Sequence, residues 1–197
     1  MTWLVARWPA LWPVIRSPVR RFFDRLAAGW DERVEPDSPQ HLAALAAALD
    51  RVEADPEQAL DIGTGTGAAA LMIARRFDRA HVAGVDISPQ MIEAARAKTP
   101  AELAHRLEFS VADAGSLPYE DSRFDLVVQV SVPAFFDEIA RVLKPGGHIA
   151  VVSSLGPATP FHTPESVLRE GFARRGVVEV ATGAGGRGTF FLGRRSN

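Results

Sequence analysis

The chain has 197 residues, 47% of them hydrophobic and 23% charged, which is ample apolar material for one domain with an added arm. It contains no cysteine, which excludes disulfides, thiolate zinc sites and a cysteine nucleophile, and no metal site is predicted. A formal net charge of −2 provides no global field for polyanions, so nucleic acid is not expected as a partner.

Residues 1–23 stand apart from the rest. They hold Trp3, Trp8 and Trp12, the prolines Pro9, Pro13 and Pro18, and Arg7, Arg16, Arg20 and Arg21, with no acid before Asp24. Arg7 interrupts the apolar stretch, and Pro9 and Pro13 are expected to break a helical leader, so export is not indicated. No run of about 18 uncharged apolar residues exists to cross a membrane. The expectation is a cytoplasmic protein whose basic, Trp-rich arm packs on its own domain, covers a pocket, or rests peripherally on a membrane surface.

Apolar spacing predicts a helix over 17–31, where Phe22, Phe23, Leu26 and Trp30 recur at intervals of three and four. A second helix is predicted over 38–52, with Ser38 as cap, Pro39 in the first position, and Leu42, Leu45 and Leu49 on one face. The pattern then alternates: strand 58–62, helix 66–77, strand 81–86, helix 88–99 and strand 107–112. Strand 124–130, helix 134–143, strand 148–154 and helix 164–174 follow, and strands 177–182 and 189–193 close the chain. Such alternation predicts an α/β fold, a mostly parallel sheet with helices on both faces. The connection 183–188 is too short for a helical crossover, so the last two strands pair antiparallel.

The strongest local signal is Asp61-Ile62-Gly63-Thr64-Gly65-Thr66-Gly67-Ala68, where a strand turns into a helix. Absent side chains let the backbone bend and approach a ligand, and the helix start offers free N–H groups. Gly63, Gly65 and Ala68 also satisfy the dinucleotide pattern G-x-G-x-x-G/A, so the glycines alone leave two nucleotide classes open. Asp61 discriminates between them. A carboxylate at the mouth of this turn repels a pyrophosphate and attracts the ammonium and sulfonium charges of S-adenosylmethionine. Asp86, ending the next strand, is placed to accept both ribose hydroxyls, with Ile87 as an apolar surface for adenine. Asp113 and the Ala114 N–H, after the third strand, are placed for the adenine amino group and a ring nitrogen.

Together these residues resemble the class I S-adenosylmethionine-dependent methyltransferases, closely over 20–155 and by topology elsewhere. Asp61 to Gly67 is similar to the family's D-x-G-x-G-x-G, Asp86 to its ribose acid, and Asp113 to its adenine contact. Arg141-Val142-Leu143-Lys144-Pro145-Gly146-Gly147 resembles its R-x-L-K-P-G-G turn, an architectural element in which Pro145 and Gly147 make the bend. Phe23-Asp24 to Trp30-Asp31 is similar to the F-D-x-x-A-x-x-Y-D element of small-molecule and quinone methyltransferases, with Trp30 in place of Tyr. The resemblance implies a Rossmann-like sheet of seven strands in the order 3-2-1-4-5-7-6, with the last strand inserted antiparallel. It also implies an arm over 1–36 and a methyltransferase domain over 37–197. S-Adenosylmethionine is the implied cofactor, bound by Asp61, Gly63, Thr64, Gly65, Gly67, Asp86, Ile87, Asp113, Ala114 and Gln129.

Methyl transfer needs alignment and exclusion of water more than a catalytic triad, and none is found. His162, on the loop after the fifth strand, is the one histidine placed to act as a general base. Gln129-Val130-Ser131-Val132-Pro133 lacks the [DN]-P-P-[YFW] signature of nucleic-acid amine methylation, and Tyr119 lacks the lysine of Y-x-x-x-K dehydrogenases. Only ten residues separate Val130 from Arg141, and the segment 154–163 carries no substrate-binding insertion. Cover for a small-molecule acceptor must therefore come from the N-terminal arm or another subunit. The alternative is a non-catalytic, accessory protein that keeps the fold and the cofactor.

Overall fold

Seven strands, β1 (Gln58–Ile62), β2 (His81–Asp86), β3 (Leu107–Val111), β4 (Phe124–Val130), β5 (Leu143–Ser153), β6 (Val177–Gly185) and β7 (Gly188–Arg195), form one sheet in the order β3-β2-β1-β4-β5-β7-β6. The computed structural model describes residues 9–53, 55–158 and 162–197, so Trp3, Arg7 and Trp8 lie outside the described residues. Pairings from β3 to β5 are parallel, whereas β7 runs antiparallel to both β5 and β6. The strand order is the one the family resemblance implies, and the antiparallel pairing of the last two strands is the one expected from their short connection.

The central strands read as nearly continuous apolar runs because helices cover both faces. Ala59, Val82, Leu126, Val128, Ala150 and Val152 face the side covered by α3 (Pro39–Leu49), α4 (Ala68–Arg76) and α5 (Pro89–Lys98). Their neighbours Leu60, Ile62, Val85, Val127, Ile149 and Val151 face the side covered by α6 (Phe136–Val142) and α7 (Glu165–Ala173). Ser38 and Ser88 cap α3 and α5 by accepting the His41 and Met91 N–H groups, each followed by proline as expected.

The arm departs from expectation. Instead of one helix over 17–31, α1 spans Trp12–Ala27 and α2 spans Trp30–Val34, broken at Gly29. Pro13 starts α1 rather than preventing it, since the first turn needs no proline N–H, and Pro18 sits within the helix. Two further bounds shift. The predicted helix 134–143 shortens to Phe136–Val142, and β5 starts at Leu143, so the Lys144–Gly147 run bends within the strand, at Gly146 (φ 77°). Lys144 Nζ donates to Asp125 Oδ1 at 2.8 Å while Asp125 Oδ2 accepts the Gln58 N–H at 2.9 Å, an architectural tie between strands. No helix among the described residues is long and apolar enough to cross a membrane.

Candidate functional site

Strand order reverses direction between β1 and β4, and the crevice this opens at the strand C-termini is where ligands of such sheets sit. The chain leaves β1 through Gly63, Gly65 and Gly67, at φ 69°, 53° and 89°. A Cβ on Gly63 would stand 2.3 Å from Val132 Cγ2, so the loop after β4 excludes any side chain there. A Cβ on Gly65 would meet nothing within 4 Å, leaving open space through which a ligand can reach the backbone. Gly67 begins α4, its N–H donating to Thr64 O at 2.9 Å.

Asp86 is fixed by the turn it faces. Its Oδ2 accepts the Gly65 N–H at 3.0 Å and its Oδ1 the Ser88 N–H at 2.9 Å. Burial raises its pKa, and these backbone donors oppose the rise. Asp86, Ile87, Gly63, Gly65 and Ala114 all line a cavity of about 260 Å³ over the strand ends.

Asp61 sits elsewhere than expected. The carboxylate lies beneath the turn, 1% exposed, with Thr64 Oγ1 donating to it at 2.6 Å, and it is not among the cavity walls. The reason is the pleat: Asp61 shares the face of Ala59, beneath the start of α4, whereas Leu60 and Ile62 face the opposite side. Burial pushes its carboxyl up to about 7; Asp86 adds to the rise, while Thr64 and the Ala70 N–H resist it. Gln129 is also fully buried and off the wall, beside Ile62 in register. Its Nε2 donates to Val132 O at 3.1 Å, and its Oε1 has no hydrogen-bond partner.

Asp113 faces the arm. Its Oδ1 accepts the Trp12 Nε1–H at 2.6 Å and the Gly115 N–H at 2.8 Å, and its Oδ2 accepts from Arg16 at 3.0 Å. The Trp12 indole meets Phe135 edge-on at 5.1 Å and packs with Ile87 and Ala114. Ile15, Val19, Phe23, Trp30 and Val34 extend this apolar wall from α1 and α2, with Val130, Val132, Pro133 and Leu155 opposite. The arm thus supplies the cover that the short segments after β4 and β5 do not.

Two acids of the Phe23–Asp31 element anchor that cover, roles that sequence reasoning missed. Asp24 accepts the Ser88 hydroxyl at 2.6 Å, and Asp31 accepts the Thr66 hydroxyl at 2.6 Å. Lys98 then bridges Asp31 and Asp37 at 2.8 Å each. The F-D…W-D spacing was the available signal.

The polar groups on the wall are few. Ser131, at the non-glycine φ of 56°, has its Oγ 3.1 Å from Ser154 Oγ, and both residues line the cavity. His41, on the first turn of α3, is the one histidine on the wall; burial lowers its pKa, the Asp37 charge acting against this, a shift that favours the neutral imidazole. His162 is not on the wall: its Nδ1 lies 3.2 Å from Ser153 Oγ, and burial lowers its pKa. No lysine or arginine lines the cavity among the described residues, and no cluster of three metal-ligating side chains occurs there.

Known proteins similar to this chain include curated methyltransferases and solved structures of the same fold. Residues 59–147 match the methyltransferase domain family. A malonyl-[acyl-carrier protein] O-methyltransferase of Halorhodospira halophila is 33% identical over 73% of this chain and 50% of its own length. A demethylmenaquinone methyltransferase of Thermus thermophilus is 39% identical over 51% of this chain and 49% of its own. The chain therefore spans about half the length of these relatives. Among solved structures, a chain of the complex between the Haloferax volcanii Trm112 methyltransferase activator and a methyltransferase superposes with TM-score 0.73. It is 22% identical, over 89% of this chain and 98% of that one, which speaks to the fold. Strand order, glycine turn and sequence match agree: residues 59–147 match a methyltransferase domain, and the sheet order is the one implied by the resemblance to class I S-adenosylmethionine-dependent methyltransferases.

Proposed function

We propose that this chain binds S-adenosylmethionine at the β1–β3 end of the cavity and methylates a small, apolar acceptor held against α1, α2 and the loops after β4 and β5. The observation that carries the reading is the open backbone at Gly65, hydrogen-bonded to Asp86 at the point where strand order reverses. The residues fit this cofactor better than a dinucleotide. Among the described residues, a pyrophosphate would face Asp86 with no cationic side chain on the wall to balance it. Asp61, buried beneath the turn, adds negative potential behind it when ionised rather than a contact to the ligand.

The bound cofactor supplies an electrophilic methyl group on a sulfonium sulfur. The Gly63–Gly67 backbone and Asp86 hold its nucleoside end; Ile87 and Ala114 give the base an apolar seat. Trp30, Phe23, Val132 and Pro133 exclude water from the reacting side. His41, on the wall and favoured in its neutral form, takes the proton of an acceptor hydroxyl as the new bond forms.

The outer face of α1 supports a further reading, peripheral contact with a membrane. Val14 and Phe22 are 75% and 48% exposed there, and Leu11, just before the helix, 46%, among Arg16, Arg20, Arg21 and Arg25. Flotation with anionic liposomes, comparing the full chain with one lacking residues 1–20, tests it: equal behaviour discards membrane contact. For the main reading, S-adenosylhomocysteine is expected to raise the melting temperature and NAD to leave it unchanged. Incubation with labelled cofactor and a panel of apolar acceptors then separates an enzyme from an accessory binder; binding without transfer would leave only the second.

A further inference from the structure

We propose that Trp12 is a built-in occupant of the adenine subsite, and that α1 gates the cofactor site by carrying this indole in and out. The inference rests on the assignment of Ile87, Asp113 and Ala114 to adenine made above. In this structure those three residues already hold a flat heteroaromatic ring that donates an N–H to a carboxylate. Trp12 Nε1 lies 2.6 Å from Asp113 Oδ1, and the buried ring packs with Ile87, Ala114 and Phe135. That is the set of contacts an aminopurine requires: apolar residues for its surface, an acidic oxygen for its donor.

The subsite is shaped around the indole. A Cβ on Gly115 would stand 2.9 Å from Trp12 Cδ1, so the turn after β3 keeps a bare backbone where the ring lies. With the ring in place the cavity holds about 260 Å³. Ligand pockets span roughly 300–1,000 Å³, so this one is short of room for a nucleoside and an acceptor together. Removing the indole provides the missing space at the place where the base belongs.

The hold on Trp12 suits a displaceable contact. Arg16, which adds the second bond from α1 to Asp113, is half exposed, and such ion pairs contribute little. Pro18 removes one backbone hydrogen bond between the Trp12 end of α1 and the Asp24 end, which Ser88 retains at 2.6 Å. The first turns of α1 can therefore swing about Pro18 while Asp24 stays fixed.

The test uses the full chain and S-adenosylhomocysteine, with calorimetry and limited trypsin digestion in parallel. If the closed state competes with ligand, Trp12→Phe, which keeps an aromatic ring but is smaller and loses the donor, lowers the Kd about tenfold, the weight of one charge-assisted hydrogen bond. Ligand also speeds cleavage after Arg16 and Arg20 in the unmodified chain. Arg16→Gln, a surface change that keeps the fold, lowers the Kd about twofold. An unchanged or weaker Kd in both variants, with α1 protected by ligand, makes the indole a fixed wall and overturns the gate. If the folded parent and both variants fail to bind S-adenosylhomocysteine at all, the adenine assignment itself falls, and the gate with it.

Discussion

At the β1–β3 end of the cavity the walls are glycine main chain and a carboxylate, with apolar side chains such as Ile87 and Ala114 beside them; at the α1–α2 end they are tryptophan, phenylalanine and branched aliphatic side chains. The first end is positioned by local geometry, three glycines at positive φ and one hydrogen bond from Gly65 to Asp86. The second is positioned by packing between residues more than a hundred positions apart, such as Trp12 and Phe135. Backbone recognition tolerates almost no substitution, because no neighbouring side chain can replace a main-chain atom. A packed apolar wall tolerates changes of similar volume, and so can be adapted to different acceptors without disturbing the cofactor end.

That contrast can be broken at several points. The largest effect is expected at Gly63: alanine there adds a left-handed residue and an overlap with Val132, about 3 kcal/mol of stability measured by denaturant melting. A loss below 1 kcal/mol would show that the loop after β4 yields. His41→Gln is expected to slow turnover about a hundredfold at unchanged cofactor Kd, with His162→Ala within twofold. The reverse ranking would return the base to the loop after β5.

Asp61 gives a pH signature of intermediate size. With its pKa at about 7, the carboxylate is ionised in a minority of molecules at pH 6 and in most at pH 8. Affinity for a cationic ligand should therefore rise about tenfold over that range, and Asp61→Asn should flatten the profile. The same shift makes a second prediction for the free chain. A carboxyl whose folded pKa is raised stabilises the fold fully below its unfolded value and loses that contribution as pH climbs through about 7. The melting temperature should thus fall between pH 5 and pH 8, less steeply in Asp61→Asn. The smallest effect is at the anchor of α2: Thr66→Val removes the 2.6 Å bond to Asp31 and should cost about 1 kcal/mol.

The strands, the helices and the glycine turn were legible because each is encoded within a few neighbouring residues: apolar runs, caps such as Ser38-Pro39, and φ values only glycine accepts comfortably; the strand order came from the family resemblance, not from local pattern. The side on which Asp61 points was not legible, since strand alternation is clear but which face α4 will cover is a tertiary outcome. Asp113 was legible as a carboxylate after a strand, whereas its partner Trp12 lies in a segment whose prolines argued against helix. Those prolines were misleading because Pro13 falls in the first turn, where no amide hydrogen is needed. His41 was overlooked for a similar reason: on a helix with Leu42 and Leu45 a lone histidine reads as surface, and only the docking of α2 beside it makes it a wall.

Lysine is scarce in this chain, and one of its two copies, Lys98, sits where the arm, α5 and the glycine turn meet. The other, Lys144, is engaged with Asp125 at the opposite end of the strands. An amine-reactive reagent therefore finds just two side-chain targets, one sensitive to the docking of α2 and one indifferent to it. The ratio of their acylation, read by mass spectrometry, would report how often the arm lets go, with Lys144 as an internal standard in the same molecule.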